Sequence, residues 1–220
     1  KQGTVSNNLI IGNATTEAES GNGIHAWYCK NIVISGNRVQ AHRDGIYLEF
    51  VDESHVEKNI STLNKRYGLH FMFSNDDSYI DNIFENNGVG VAVMFSRRIQ
   101  MKANRFSHNW GGASYGLLLK EILDAEIIDN VFDQNTMGIF VEGSNRVNYY
   151  HNVFNRNGWA IKFSGGCEDN EIHYNNFLNN SLDLVINSSL NSNKIHHNYW
   201  SKYSGYDLDK DQIGDVPYYP

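Results

Sequence analysis

One short segment, RYGLHFMFSN (Arg66 to Asn75), combines side chains that could bind a soft metal ion. His70 and Met72 are separated by a single residue, and Met94 follows in the related segment GVAVMF. One imidazole and two thioethers form a donor set that suits Cu(I) better than calcium or magnesium. Whether the three side chains meet depends on the elements that carry them.

An internal repeat predicts those elements. The motif Asn-x-Phe begins at Asn82, Asn104, Asn130, Asn152 and Asn175, which corresponds to a period of about 22 to 23 residues. One longer interval contains the insertion HNWGGASYG. Each period also holds a short apolar segment such as GIYLEF, GLHFMF or GVAVMF. These segments alternate with period two and are too short for helices, so we expect strands.

The repeat predicts an all-β fold, a right-handed parallel β-helix (solenoid) of about eight to nine coils. Asparagines would occupy left-handed corners and bond to the equivalent asparagine one coil away, at a spacing of about 4.8 Å. We expect a β-helix domain over residues 1–200 and an acidic C-terminal capping tail over residues 201–220. A sandwich of antiparallel hairpins would instead need Asn-Gly turns and no fixed Asn-x-Phe phase.

Strand alternation assigns side chains to the core or to the outer face. The predicted inward residues are Ile46, Leu48, Leu69, Phe71, Val91, Val93, Leu117, Leu119, Ile139 and Val141. Met72 and Met94 then share an outward column on adjacent coils, about 5 Å apart. His70 lies beside them on the same face, and the small Ala92 should leave room above it.

The same face also admits a second interpretation, an interface for a protein partner. Exposed methionines mark adaptable binding surfaces, and His70 would then only bond to a nearby polar group. Spacing alone does not distinguish a metal site from a protein interface. Under both interpretations we expect a broad partner surface formed by Trp27, Tyr47, Glu49, Lys120, Phe140 and Glu142.

The tail YDLDKDQIGDVPYYP contains a possible site for a hard cation. Asp207, Asp209, Asp211 and Asp215 occupy positions 1, 3, 5 and 9 of a candidate calcium loop. Gln212 stands where such loops usually carry glycine. A solvated acidic turn that caps the solenoid is the alternative interpretation.

The cysteines and the remaining histidines predict no further site. Cys29 and Cys167 are six repeats apart, about 29 Å along the stack, so we expect two unpaired corner thiols, each buried. His196 and His197 are adjacent and should point to opposite faces of a strand, which disfavours a chelating pair. Solvated polar corners are expected for these two and for His42, His55, His108, His151 and His173.

Composition and spacing exclude several classes of function. A net charge of -7 without a basic run disfavours nucleic acid as a partner. No segment approaches the roughly 20 apolar residues of a membrane span, and the first residues show no signal-peptide core. Glu49 and Glu142 would lie about 19 Å apart, too far for a two-carboxylate glycosidase mechanism.

Several segments together resemble the NosD family. They are RYGLHFMFSNDDSYIDNIFENNGVGVAVMFS, YGLLLKEI, NTMGIFVEGSNR, NGWAIKF and NYWSKYSGYDLDKDQIGDVPY, and the resemblance extends from about Asn31 to the C-terminus. NosD proteins are periplasmic β-helical accessory proteins of nitrous oxide reductase maturation. Family members are longer at the N-terminus, so we expect this chain to be the later portion of one.

The resemblance implies a non-enzymatic role in the periplasm. It implies copper as the bound metal, and an ABC transporter of NosF and NosY type together with nitrous oxide reductase as partners. Contact with the membrane would occur only through such a partner. Two alternatives remain: a β-helix that binds or cleaves carbohydrate across Trp27, Tyr47 and Glu49, and a docking scaffold without a ligand of its own.

Overall fold

The computed structural model describes residues 2–187 and 192–220, and this part of the chain is built from strands without a helix. It therefore contains no helix that is long and apolar enough to cross a lipid bilayer. The strands are β1 (Gly3–Ser6), β2 (Leu9–Ile11), β3 (Ile24–Lys30), β4 (Ile32–Ser35), β5 (Arg38–Gln40), β6 (Asp44–Asp52), β7 (His55–Glu57), β8 (Ile60–Thr62), β9 (Tyr67–Met72), β10 (Ser78–Ile80), β11 (Ile83–Glu85), β12 (Val89–Met94), β13 (Gln100–Lys102), β14 (Arg105–Ser107), β15 (Tyr115–Lys120), β16 (Leu123–Ile128), β17 (Val131–Asp133), β18 (Met137–Glu142), β19 (Asn145–Tyr150), β20 (Val153–Asn155), β21 (Trp159–Ser164), β22 (Glu171–His173), β23 (Asn176–Leu178), β24 (Leu182–Asn187), β25 (Lys194–His196) and β26 (Tyr199–Trp200).

The strands form three parallel sheets: each of the first eight coils contributes one strand to every sheet, and the last coil contributes β25 and β26. Sheet 1 has the order β1-β4-β7-β10-β13-β16-β19-β22-β25, and sheet 2 has the order β2-β5-β8-β11-β14-β17-β20-β23-β26. Sheet 3 has the order β3-β6-β9-β12-β15-β18-β21-β24. Strand pairing is parallel in all three, as between β9 and β12. The predicted all-β parallel β-helix is confirmed.

Two ladders of asparagines connect the coils, and all their members except Asn8 and Asn198 at the ends of the first ladder are buried. In the first ladder each side-chain amide donates to the Oδ1 atom of the next asparagine at 2.9–3.1 Å. Its members are Asn8, Asn37, Asn59, Asn82, Asn104, Asn130, Asn152, Asn175 and Asn198. The second ladder contains Asn64, Asn87, Asn109, Asn135, Asn157 and Asn180. The bond between equivalent asparagines is therefore as predicted.

The position of the left-handed residue differs from the prediction. The residue that precedes each ladder asparagine adopts the positive φ, as at Asp81 (φ 55) before Asn82 and Ala103 (φ 55) before Asn104. The ladder asparagine itself must aim its amide inward along the stack, and its backbone N-H donates to the same Oδ1 atom as its side chain. The preceding residue makes the turn and points outward, so its side chain is free to vary.

The core lies inside the coils, between the three sheets. All ten predicted inward residues of sheet 3 are completely buried. A stack of rings, Phe84, Phe106, Phe132, Phe154, Phe177 and Trp200, follows the axis with centroids 4.2–5.5 Å apart. Continuous apolar packing on a repeated backbone fixes the register of every strand, and with it the outer face.

Residues 201–220 follow the last strand and pack on its end. The ring of Tyr218 lies 5.3 Å from that of Trp200, and the Tyr203 hydroxyl donates to the carbonyl of Val216 at 3.0 Å. No strand occurs in residues 201–220. The tail thus contacts the core stack at its C-terminal end.

Candidate functional site

The two methionines of the outer face lie opposite each other. Met94 of β12 pairs with Met72 of β9, Glu49 precedes them in the same column, and Lys120 follows. Both methionine side chains are partly exposed. The Tyr47 hydroxyl contacts the Met72 sulfur at 3.9 Å. Two thioethers therefore lie one coil apart, as the register predicts, and their role as copper ligands stays a prediction.

His70 occupies the neighbouring outward column but is not exposed. It pairs with Tyr47 on one side and Ala92 on the other, and it is only 4% exposed. The rings of Tyr47 and Tyr67 lie 4.9 and 4.8 Å from the imidazole. Ala92 is itself fully buried. The prediction of open space above His70 is therefore wrong, because neighbouring aromatic side chains cover this part of the face.

The imidazole of His70 lacks hydrogen bonds at both ring nitrogens. Buried polar atoms in proteins are almost always paired, so an imidazole with two unpaired nitrogens needs an explanation. A neutral imidazole in this state keeps a lone pair for a metal ion. Together with the thioethers of Met72 and Met94, it matches the donor chemistry of Cu(I).

A buried carboxylate next to His70 was not identified from the sequence. Asp44 is 1% exposed, and its Oδ2 atom lies 3.9 Å from Nδ1 of His70 and 3.7 Å from Nε of Arg43. Nε of Arg66 lies 3.8 Å from Oδ1. Two guanidinium groups thus offset the charge of Asp44. The sequence signal is an arginine two residues before the glycine in successive coils, RDG and RYG.

A second unidentified feature is the aromatic ladder, defined as Tyr28, Phe50, Phe73 and Phe95. Its rings stack at 4.6–5.2 Å with interplanar angles of 9–14° along the edge of sheet 3. All four residues have φ between 48 and 54°. The left-handed conformation breaks the alternation and turns each ring outward, so period-two alternation does not identify the ladder. Tyr28 is 62% exposed, and Phe73 and Phe95 are about 40% exposed.

The predicted partner surface is continuous with this ladder. Trp27 is 59% exposed and packs edge-on against Tyr28. Burial raises the pKa of Tyr47, and the adjacent carboxylate of Glu49 adds to the effect.

Further along the same face, the charged groups are paired or separated. Nζ of Lys120 forms a 3.2 Å ion pair with Glu142, and Lys162 lies over the ring of Phe140. Met72, Met94 and Lys120 separate Glu49 from Glu142 in one column. These two glutamates therefore do not form a carboxylate pair.

In the acidic tail, three of the four predicted carboxylates converge. Asp207, Asp209 and Asp211 each bring one oxygen into a group whose members lie within 4.8 Å of one another. Asp215 does not belong to this group, and its Oδ2 accepts a 2.7 Å hydrogen bond from the backbone N-H of Leu208. Calcium binding at this loop stays a prediction.

Both cysteines are free, as predicted, and Cys167 is buried, which raises the pKa of its thiol. Cys29 is partly exposed, contrary to the prediction. The prediction for the adjacent histidines is also wrong. His197 has a φ of 52°, so alternation is broken and the Nδ1 atoms of His196 and His197 lie 2.7 Å apart.

Solved structures with similar folds include two epimerases and a bacteriophage tailspike protein. The periplasmic alginate epimerase AlgG has a TM-score of 0.64 at 17% identity, over 81% of this chain and 47% of that chain. Tailspike protein 2 from Escherichia coli O157:H7 bacteriophage CAB120 has a TM-score of 0.66 at 14% identity, over 83% of this chain and 34% of that one. The Azotobacter vinelandii mannuronan C-5 epimerase AlgE6 A-module has a TM-score of 0.57 at 11% identity, over 77% and 64%. This likeness shows the fold alone, and the chain spans less than half the length of the first two.

No curated protein matches this sequence. The model of a protein family does match it, from residue 6 to residue 205, and that model is described as the periplasmic copper-binding protein NosD. The match covers the solenoid, both methionines, His70 and the aromatic ladder. The chain therefore belongs to the NosD family of periplasmic copper-binding proteins.

Proposed function

We propose that this chain is a non-enzymatic accessory protein of nitrous oxide reductase maturation that carries Cu(I) at Met72, Met94 and His70. The observation that carries the proposal is the in-register methionine pair beside an imidazole whose ring nitrogens form no hydrogen bond. The family to which the chain belongs is described as copper-binding. The partly exposed thioethers receive the ion first, and the buried imidazole of His70 then supplies the nitrogen donor. Thioether ligands keep Cu(I) exchangeable, as a donor protein requires.

The aromatic ladder supports a docking role for the same face. The rings cover one another's faces and leave mainly edges exposed, which suits packing against protein side chains better than stacking of a sugar ring. We assign this surface to the protein partners of maturation, the reductase or an ABC transporter of NosF and NosY type. The protein would act in the periplasm and meet the membrane only through such a partner.

A second candidate function rests on the buried Asp44 cluster. Arg43 and Arg66 lie at its partly exposed rim, and guanidinium groups bind carboxylates such as those of uronic acid sugars. Two of the structural neighbours are alginate or mannuronan epimerases. This candidate predicts binding of an acidic oligosaccharide that depends on Arg66 and is indifferent to the methionines.

The test of the copper site is an anaerobic Cu(I) titration against a colorimetric chelator. The wild-type chain should take up about one equivalent, and Met72→Leu/Met94→Leu should bind at least ten times more weakly, since leucine keeps the volume but removes the sulfur. Met137→Leu is the matched control, because Met137 is also partly exposed on sheet 3. Equal binding by wild type and the double variant would overturn the proposal.

The carbohydrate candidate is tested with oligomannuronate in place of copper. Binding to the wild-type chain that disappears in Arg66→Gln and persists in Met72→Leu/Met94→Leu would favour it. Absence of binding to the wild-type chain rejects it and leaves the copper titration unaffected.

A further inference from the structure

The outer corner of sheet 1 ends in a cluster of histidines that the proposed function does not use. Strand β25 ends at His196, and the left-handed turn at His197 brings the two rings to the same side. Their Nδ1 atoms are 2.7 Å apart, and both residues lie at the surface. Two neutral imidazoles whose lone pairs face each other at this distance repel unless a proton or a cation lies between them.

The coil below holds both rings in place. The ring of His196 stacks on His173 with centroids 5.3 Å apart, and that of His197 packs on Tyr174 at 5.2 Å. The backbone N-H of Tyr174 donates to the carbonyl of His197 at 3.1 Å. The next residue, Asn198, is fixed in the first asparagine ladder. The pair is therefore preorganised, so little rotamer freedom is lost when it binds an ion.

A carboxylate sets the tautomer of His196. Its Nε2 atom lies 2.9 Å from Oε1 of Glu171, and a carboxylate only accepts hydrogen bonds, so Nε2 carries the hydrogen and Nδ1 keeps the lone pair. Metal-binding histidines commonly donate a hydrogen bond from the N-H of their second ring nitrogen to a carboxylate in this way. Two nitrogens that bind one ion at about 2.0 Å and near a right angle are about 2.8 Å apart, close to the spacing found here.

We propose that His196 and His197 form a bidentate site for a divalent transition metal ion of borderline softness, Cu(II) above Ni(II) and Zn(II). Imidazole suits these ions, and their affinities follow that general order, with Cu(II) highest. Glu171 is a positioning residue that orients His196. The site is separate from the methionines, which lie on sheet 3.

Among the described residues, no third carboxylate, thiol or imidazole brings a ligand atom within 4.8 Å of both Nδ1 atoms. In residues 2–187 and 192–220, the only group of three such side chains within 4.8 Å is that of Asp207, Asp209 and Asp211. Water or a partner protein would complete the coordination of an ion held by the histidines. Such a site binds less tightly than a closed one and releases its ion readily.

Equivalent corners of the two preceding coils provide internal comparisons. They carry His173 with Tyr174, and Tyr150 with His151, so a phenol replaces one imidazole in each. His197→Tyr reproduces the first of these corners and keeps an aromatic ring on the stack. It removes the chelate with the least disturbance of the fold.

The experiment is a titration of the full chain with Cu(II) alone, followed by electron paramagnetic resonance. The wild-type chain should bind one Cu(II) with two equatorial imidazole nitrogens. His197→Tyr should retain at most one imidazole and bind at least ten times more weakly. Glu171→Gln should weaken binding by about tenfold while keeping two imidazoles. His55→Ala, which removes an exposed histidine from the same sheet, should match the wild type.

The outcomes separate this proposal from the copper(I) site. Met72→Leu/Met94→Leu should leave the Cu(II) spectrum and affinity unchanged, whatever it does to Cu(I). A wild-type spectrum with one imidazole, or equal affinity in His197→Tyr, would identify the pair as a hydrogen bond only and overturn the proposal. A Cu(II) signal that is lost in His55→Ala but kept in His197→Tyr would also overturn the proposal.

Discussion

Nδ1 of His70 lies 3.9 Å from Oδ2 of Asp44, and the two side chains belong to residues that are 4% and 1% exposed. The histidine of the candidate copper site is therefore covered while the methionines are not. Tyr47 and Tyr67 form the cover, and Arg66 packs over the ring of Tyr67 at 4.5 Å. We therefore expect an ion captured by the thioethers to reach the imidazole only after a tyrosine ring moves.

Truncation of the cover should change the rate of Cu(I) capture. In Tyr67→Ala we expect uptake to accelerate by roughly an order of magnitude, because the gating motion is removed while all three donors remain. Stopped-flow competition with a chelator measures this rate. Tyr115→Ala is the control, since Tyr115 is likewise the partly exposed first residue of a sheet 3 strand. An unchanged rate in Tyr67→Ala would show that His70 takes no part in capture.

Stability should fall as the pH rises because of one buried acid. Burial raises the pKa of Asp77 from 3.8 to about 8, although the carboxylate accepts hydrogen bonds from Ser54 and Tyr79. The folded state therefore binds the proton more tightly than the unfolded state. The stabilisation is complete below pH 4 and is lost as the pH rises through about 8.

Replacement of this acid by its amide should remove the effect. Asp77→Asn keeps an acceptor for Ser54 and is neutral at every pH. We expect its unfolding free energy to exceed that of the wild type at pH 9 by on the order of a few kcal/mol, and to approach it at pH 4. Urea unfolding at both pH values measures the difference. Asp81→Asn changes an exposed corner residue, so its difference from the wild type in unfolding free energy should be the same at both pH values.

The asparagine ladders should dominate the sensitivity of the fold to single substitutions. Asn104 is 1% exposed, donates to Asn130 and to the carbonyl of Tyr79, and accepts from Asn82. Asn104→Ala would leave several buried groups unpaired, so we expect a loss of about 2–4 kcal/mol in unfolding free energy. Lys102→Ala, at an exposed position of β13, should change it by less than about 0.5 kcal/mol. Similar losses in the two variants would contradict this view of the ladder.

Much of the fold follows from the sequence, because the Asn-x-Phe phase and the period-two alternation determine which residues face the core. The pairing of Met72 with Met94 follows from the same register. Burial of His70 does not, since it depends on Tyr47 of the coil below and Tyr67 of its own strand, and periodicity says nothing about which large side chains fold over a neighbour.

The errors share a physical cause at the corners. A residue with positive φ breaks the alternation, and bulky residues adopt that conformation rarely, so their presence there is hard to anticipate. This accounts for the outward turn of Phe73 and Phe95 and for the convergence of His196 with His197. His197, which alternation assigns to the face opposite His196, therefore lies next to it.

The acidic tail should bind calcium weakly. Asp207, Asp209 and Asp211 converge, and the loop is exposed, so we expect a dissociation constant of about 0.1–1 mM, as in weak extracellular sites. Asp209→Asn should abolish the heat of binding in calorimetry. Asp215→Asn should weaken it less, because that carboxylate lies outside the converging group. Equal effects of the two substitutions would place Asp215 among the ligands.

Substitutions in the aromatic ladder should separate docking from folding. Phe73→Asn/Phe95→Asn removes two exposed rings, and asparagine tolerates the left-handed conformation better than phenylalanine does. The lost stacking and the relieved backbone strain offset each other, so we expect the unfolding free energy to change by less than about 1 kcal/mol. Cu(I) binding should be unchanged, because both methionines remain.

Partner binding should respond differently in the same variant. Since the ladder is the apolar part of the proposed docking surface, the affinity for nitrous oxide reductase or the transporter, measured by biolayer interferometry, should fall at least tenfold. Tyr174→Asn is the control, because it removes an exposed aromatic residue with a φ of 52° from a corner of sheet 1. A large loss of stability with unchanged partner affinity would make the ladder a structural element of the solenoid and move the docking surface elsewhere.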